Sequence, residues 1–571
     1  MHNMLTNDLL RCWREEENRL IPQNFEVFQS LIAQAKDFEQ CGKYDMAAIY
    51  GDMAAEYASF MKHCGIFTSL ELEHLFLTIG LKALKSSRYP IKSSPLNGMP
   101  KNILHVVSGV WSIGGHGRLL WRWIQQDDER SHSVVLIQQA VADTPKVLQD
   151  AVFNSHGKMY ALNETIGSFI ARSQQLREIA ASFDMVVLHT IFDSSIPAIA
   201  FANKGQSPPV IYVNHADERF WVGVGISDVV ANLRESGMRL SQERRGIEEK
   251  RNEILPIVLS PTLRTLSRTE AKRELGFAED SIIVLSIARA VKYKNSHGIS
   301  FADAHVPFLK QHNMATLIVI GPGDSEDWSS AIAQTQGRIK VLGHTQHTSV
   351  FYQAADIYVD SFPFVSNTSL LEAGSYGIPL VSRYPFSSDG CAIFGADMPG
   401  LTDNLIRVQD LEEYTIVLSR LAEDKEFRLC LGEKTRKKIE ETHLGINWKR
   451  SLENLYLRTT NLPRVTLTSE LKDQIFLDEP DIFLEKVFPF TFDHDKLILD
   501  RVRSMPFSER FSIWLKQIKK GNFGRIGNVG FLLPEWLYRY LLKLAKLQKK
   551  GTGNREHFDK LSASQGTGKK L

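Results

Sequence analysis

Several things are scarce in this sequence, and each scarcity excludes something. Only five cysteines occur in 571 residues (Cys12, Cys41, Cys64, Cys391 and Cys430), scattered and without a Cys-x-x-Cys pair. That pattern supplies neither a disulfide framework nor a zinc site, and it suits a reducing compartment. No stretch nears the roughly 18 consecutive apolar residues of a membrane span. The opening MHNMLTNDLLRCWREEENRL is polar and acidic, so a secretory signal is not expected. Net charge is +2, which argues against nucleic acid as a partner. His344 and His347 lack metal-ligand spacing, and Asp127-Asp128 follows a helix rather than a strand, so the pair reads as a surface turn. Neither a metal nor a bound cofactor is expected.

What is present is alternation. The length calls for two to four domains, because one core cannot serve 571 residues. Residues 1–95 carry apolar residues at helical spacing. Within them Ala35, Phe38, Gly42, Tyr44, Ala47 and Ala48 fit one helical hairpin of tetratricopeptide type, with no second copy to stack on. Such a hairpin serves as a cap on the next domain or as a partner surface. Residues 88–100, rich in Pro, Ser and Gly, read as a linker. From 96 to 265 strands at Asn102–Val107, Ser133–Gln138, Asp184–His189, Val210–Val213 and Asp228–Leu233 alternate with helices. From 266 to 462 a second cycle runs through SIIVLSIAR, ATLIVIGPG, RIKVLGH and DIYVDS, with 405–460 expected to be helical. Alternation of this kind means parallel sheets covered on both faces. The fold expectation is α/β, with two doubly wound Rossmann-like domains facing a cleft at their strand ends. Residues 463–571 turn aromatic and basic. Residues 501–571 alone carry +12 against −10 for the rest.

Candidate site residues collect at the strand ends. DIYVDSFPFVSNTSLLEAGSYGIPLVS (356–382) reads as strand, turn, helix, strand, and Asn367, Thr368 and Ser369 stand where the helix begins, each able to cap it. A helix start with free N–H groups is an anion site. Arg289 and Lys294 follow the strand SIIVLSI and supply two cations suited to a leaving diphosphate. Glu372, one turn into the helix, can bond ribose hydroxyls or simply favour the helix dipole. In the first domain the turn Gly114-Gly115-His116-Gly117 lets backbone approach a ligand. His189 and His215 end two strands, as bases, sugar contacts or packed core residues. Asp217 either orients His215 or faces an acceptor. In the tail, Trp536, Leu537, Tyr540, Leu541, Leu544 and Leu547 share one face of a helix whose other face carries Arg539, Lys543, Lys546 and Lys550. Residues 536–550 therefore either meet an anionic membrane surface or pack on the catalytic domains.

GGHGR, the strand-end His189 and His215, SIARAVKYKN, LIVIGPG, IKVLGH and the 356–382 stretch come in one order over about 100–460. In this the chain resembles the two-Rossmann (GT-B) glycosyltransferases, specifically the retaining group 1 that uses nucleotide sugars. The resemblance implies that Arg289 and Lys294 contact the donor diphosphate and Glu372 the ribose. It also implies that His215 lies near the transferred sugar and Gly115 close to the phosphates. Where many retaining members carry a second glutamate, eight residues before Glu372, this chain has Phe364. There FPFVSNTSLLEA is more similar to the inverting protein O-GlcNAc and adhesin glycosyltransferases, in which small polar residues hold the phosphates.

The expected function is transfer of a sugar from a nucleotide-diphosphate donor to a glycan, lipid-linked or protein acceptor, in surface polysaccharide or glycoconjugate synthesis. The expected setting is cytoplasmic, with the basic tail able to bring the protein to the inner face of a membrane. His215, Arg289 and Lys294 are the catalytic candidates. Gly115, Asn367, Thr368, Ser369 and Glu372 are the donor contacts, and His116, His189 and Asp217 face acceptor or sugar. The rival readings are a sugar-nucleotide epimerase or hydrolase on the same fold, and a non-catalytic scaffold.

Overall fold

A computed structural model of the chain describes residues 7–86, 99–112, 114–164, 167–189, 195–294, 300–323, 326–384, 395–467, 473–487, 494–519 and 529–552. Most of the expected linker at 88–100 lies outside them.

Two all-parallel sheets form the frame. The first has the order β3-β2-β1-β4-β5-β6-β7, with β1 Asn102–Val107, β2 Ser131–Leu136, β3 Met159–Ala161, β4 Met185–His189, β5 Val210–Asn214, β6 Val229–Asn232 and β7 Asn252–Ile254. The second has the order β10-β9-β8-β11-β12-β13, with β8 Ile282–Ile287, β9 Ala315–Ile320, β10 Ile339–Leu342, β11 Ile357–Val359, β12 Leu380–Arg383 and β13 Leu405–Val408. The fold expectation holds. The central strands read as unbroken apolar runs because helices cover both their faces. Three strands were not expected: β3 and β7 at the edges of the first sheet, and β13 within the stretch expected to be all helix. Leu405 and Val408 of β13 are buried while Ile406 and Arg407 are not. That two-sided environment belongs to a sheet edge.

In each sheet the strand order reverses once, between β1 and β4 and between β8 and β11. The loops leaving these strands diverge there and open a crevice at the C-terminal edge. The loop after β1 leads through Gly114 into a helix whose first turn is Gly115 to Arg118, and β4 ends on His189. Arg289 follows β8, and residues 360–367 follow β11.

The flanking regions belong to the first sheet. Helices Asn7–Gln40 and Tyr44–Glu56 form the hairpin, turning at Gly42 with φ 71°. With the turn Tyr57–Met61 they cap the sheet: the Phe28 ring meets Phe220 edge-on at 5.6 Å, and Ser59 Oγ donates to Phe220 O at 3.0 Å. Glu73, in helix Leu70–Ala83, is buried and accepts the backbone N–H groups of Gly223, Val224 and Gly225 at 2.5–3.0 Å. The C-terminal extension straps over this cap. Asp481 binds His63 at 2.8 Å and Arg244 at 2.6 Å, Arg501 pairs with Asp52 at 2.7 Å, and Glu535 pairs with Arg172 at 2.7 Å. Helix Gly445–Asn461 also crosses to the first sheet. Its Tyr456 hydroxyl donates to Asp127 at 2.9 Å, and Trp448 Nε1 donates to Pro256 O at 2.9 Å.

Candidate active site at the facing strand ends

The second-sheet side starts from Asp360, the residue after β11. Its buried carboxylate accepts from the N–H groups of Ser361 and Ser366, both at 2.9 Å, and from Ser366 Oγ at 2.6 Å. One side chain thereby folds the loop 361–366 on itself. The loop delivers Asn367 with φ 37° and ψ −83°, a conformation that a non-glycine residue rarely holds. Helix Thr368–Ser375 begins here, and no side chain caps it; Asn367 Oδ1 is buried without a hydrogen bond. The expected cap is thus absent, and the helix start keeps its partial positive charge.

Arg289 and Lys294 flank a short turn, Ala290–Tyr293, pinned by the Tyr293 hydroxyl to Ser286 Oγ at 2.9 Å. Both cations are exposed, and among the described residues neither pairs with a carboxylate. Between them stands Lys292, which the sequence reading passed over. Its Nζ bonds Val365 O and lies 4.6 Å from the centre of the Phe364 ring. Burial, with Arg289 beside it, pushes this ammonium down to about 8. Lys292 ties the turn after β8 to the loop after β11. Two lysines in KYK were the available signal.

The first-sheet side meets this helix start directly. A Cβ added to Gly115 would stand 2.6 Å from Thr368 Oγ1, so only glycine fits there without displacing the threonine. One turn further on, Glu372 accepts from Arg118 Nη1 at 2.9 Å and from Arg122 Nη2 at 2.7 Å. The carboxylate assigned by resemblance to a ribose is here the clasp between the domains. A second clasp lies nearby: Arg234 Nη1 bonds Gly395 O, and Ser236 Oγ donates to Asp397 at 2.9 Å.

Asp217 has another employment than acceptor contact. Arg234 takes both its oxygens, at 2.6 and 2.7 Å. Burial works against this carboxylate, but Arg234 outweighs it and holds Asp217 below its ordinary value. Burial, and after it the adjacent Asp217 carboxylate, make Glu218 harder to ionise.

His116, His189 and His215 lie together with two further histidines, His105 and His132. His116 and His215 stack at 4.3 Å, 19° from parallel. His116 Nε2 donates to His189 O at 2.9 Å, and His215 Nδ1 donates to Val213 O at 3.2 Å. Beneath them His189 Nε2 lies 2.9 Å from His105 Nδ1, and His105 Nε2 lies 2.9 Å from His132 Nδ1. Burial pushes His189 down to about 3 and His215 to about 4, so both are neutral near pH 7. Asp127, expected at the surface, is buried among His132, Arg130 and Tyr456. Among the described residues no group of three or more His, Cys, Asp or Glu could hold a metal ion.

This side-by-side arrangement pairs an uncapped helix start and cations with neutral imidazoles, which suits departure of an anion beside proton acceptance. Comparison with known proteins agrees in part of the chain. Residues 281–424 match the family model for glycosyl transferases group 1. No curated protein matches the sequence. Among solved structures, the chain is similar to a Thermobaculum terrenum O-GlcNAc transferase mutant at 15% identity, covering 79% of this chain and 86% of that one with a TM-score of 0.45. It is also similar to Anabaena HepE in complex with UDP at 13% identity, covering 63% and 100% with a TM-score of 0.48. The second sheet with its loops, residues 281–424, is a group 1 glycosyltransferase domain.

Proposed function

We propose that the protein transfers a sugar from a nucleoside-diphosphate donor to a hydroxyl of a glycan, lipid-linked or protein acceptor. The uncapped start of helix Thr368–Ser375, set against Gly115 and on the same side as Arg289 and Lys294, carries this reading. The diphosphate lies on the helix start, held by the backbone of 367–369 and the hydroxyls of Thr368 and Ser369. Arg289 and Lys294 take up the charge that grows as the C1–oxygen bond breaks. Lys292 sets the shape of the phosphate loop. Ribose hydroxyls reach Glu372 by sharing it with Arg118 and Arg122, so donor binding and domain closure compete for one carboxylate. His116 and His215 face the transferred sugar and its acceptor. A thermal-shift screen against UDP-, GDP-, ADP- and TDP-sugars tests this. One base class should raise Tm by about 5 °C or more at saturating ligand. No shift with any of them would remove the reading.

A membrane surface as the place of work has its own support. No described helix is long and apolar enough to cross a membrane. Yet helix Phe507–Lys519 exposes Phe507, Phe511, Leu515 and Ile518 along one stripe, and helix Glu535–Thr552 exposes Trp536, Tyr540, Leu541 and Leu544. Apolar stripes with lysines alongside fit the interface of an anionic bilayer. That location suits surface polysaccharide or glycoconjugate synthesis with a lipid-linked acceptor.

A further inference from the structure

Three histidines far apart in sequence lie on one face of the first sheet. Parallel register sets His105 beside Val187 and Val107 beside His189, and the two-residue period turns His105 and His189 to the same side. Helix Gly115–Gln126 covers that side, and its Trp123 meets both rings edge-on at 5.7 and 5.6 Å. The helix ends at Asp127, whose carbonyl oxygen lies 3.0 Å and carboxylate 3.3 Å from His132 Nε2.

The direction of every bond in this chain follows from that end. A carbonyl and a carboxylate only accept, so His132 Nε2 carries the hydrogen and its Nδ1 is bare. His105 Nε2 must then donate to His132 Nδ1, and His189 Nε2 must donate to His105 Nδ1. His189 Nδ1 is left with a lone pair, fully buried, and among the described residues it has no partner. An unsatisfied buried acceptor is destabilising and calls for a functional account. The helix dipole gives the direction of travel. Its positive N-terminus, at Gly115 and His116, disfavours an imidazolium beside the cleft. Its negative C-terminus and Asp127 favour one at His132.

We propose that His189, His105, His132 and Asp127 form a one-way proton relay running beneath helix Gly115–Gln126, from the cleft to its far end. The proposal rests on the glycosyl-transfer reading. As the acceptor oxygen bonds to C1 of the sugar, the C1–oxygen bond to the diphosphate breaks and its electron pair leaves with the diphosphate. The acceptor hydroxyl proton, delivered by water entering beside His116 and His215, goes to His189 Nδ1. The hydrogen on His189 Nε2 passes to His105 Nδ1, and that on His105 Nε2 passes to His132 Nδ1. The positive charge comes to rest on His132 against the Asp127 carboxylate. His105 and His132 touch no substrate and are positioning residues.

Two measurements on the full chain test the relay. Nitrogen-15 imidazole spectra of the histidine-labelled protein at neutral pH should show His132, His105 and His189 all as Nε2–H tautomers, with His189 Nδ1 unprotonated. Finding His189 or His105 as the Nδ1–H tautomer overturns the proposal, whatever the protein's activity. The second uses His105→Gln, whose amide can donate to His132 and accept from His189 but cannot pass a proton on. Donor hydrolysis, with water as acceptor and the nucleotide sugar identified by thermal shift, should lose on the order of tenfold or more in kcat with donor KM unchanged. Wild-type kcat in a folded His105→Gln protein overturns the relay. Failure of every donor to bind would instead remove the reading on which it rests, and leave the tautomer result standing.

Discussion

The two sides of the cleft are built on opposite principles. The second-sheet side is charged and open: Arg289 and Lys294 are exposed and have no carboxylate partner among the described residues, and a helix presents an uncapped start. The first-sheet side, apart from the ion pairs of Arg118, Arg122 and Arg234 at its seam, is neutral and enclosed, with His105 and His189 fully buried and held well below ordinary histidine values. On the proposed reaction, the difference assigns one half to each side. A leaving diphosphate needs fixed positive charge that can desolvate it, whereas a hydroxyl losing its proton needs an uncharged base. Placing both on one wall would weaken the base, because the cations would oppose an imidazolium beside them.

The comparison breaks most visibly at Arg289. Arg289→Ala should lower turnover by about 10²–10³-fold with Tm unchanged, since its side chain supports no packing. Steady-state kinetics and a melt on the same sample check this. Next comes the seam between the sides. Gly115→Val would push its side chain against Thr368, and separation of the walls should lower kcat/KM by on the order of 10-fold to 10²-fold. A smaller and gradual effect belongs to the enclosed side alone. His189 titrates near 3 when folded and near 6.5 when unfolded, with His105, His116 and His215 around it. Between those values the unfolded chain binds the extra proton, so stability falls as pH drops below 6.5, by about 2 kcal/mol from this residue at pH 5. Melts from pH 7.5 to 5.0 should show it, and a flat profile would contradict the enclosed, neutral side. The smallest effect on chemistry is expected outside the cleft. Phe511→Glu with Leu515→Glu should abolish sedimentation with phosphatidylserine vesicles while leaving turnover of a soluble donor unchanged.

The sequence displayed the charged side far better than the neutral one. Arg289, Lys294 and the helix start sit at the ends of strands written as long apolar runs, and such runs are legible because both faces are buried. The edge strands β3, β7 and β13 escaped because runs of three or four residues carry no readable period. The histidine chain was half visible. His189 and His215 stood out at strand ends, but His105 sits mid-strand among Leu104 and Val106, and His132 near a strand start. Only the register of β1 with β2 and β4 brings them together. Glu372 shows the opposite case: its position was clear, while its pairing with Arg118 and Arg122 depends on how the two domains meet.

Calorimetric titration of nucleoside diphosphates (UDP, GDP, ADP and TDP) into the wild-type, Arg289→Ala and His215→Gln proteins tests the division between the two sides most directly. The account predicts that one diphosphate binds the wild type, that Arg289→Ala weakens it by about tenfold or more, and that His215→Gln leaves it unchanged. No binding, or equal loss in both variants, would contradict it.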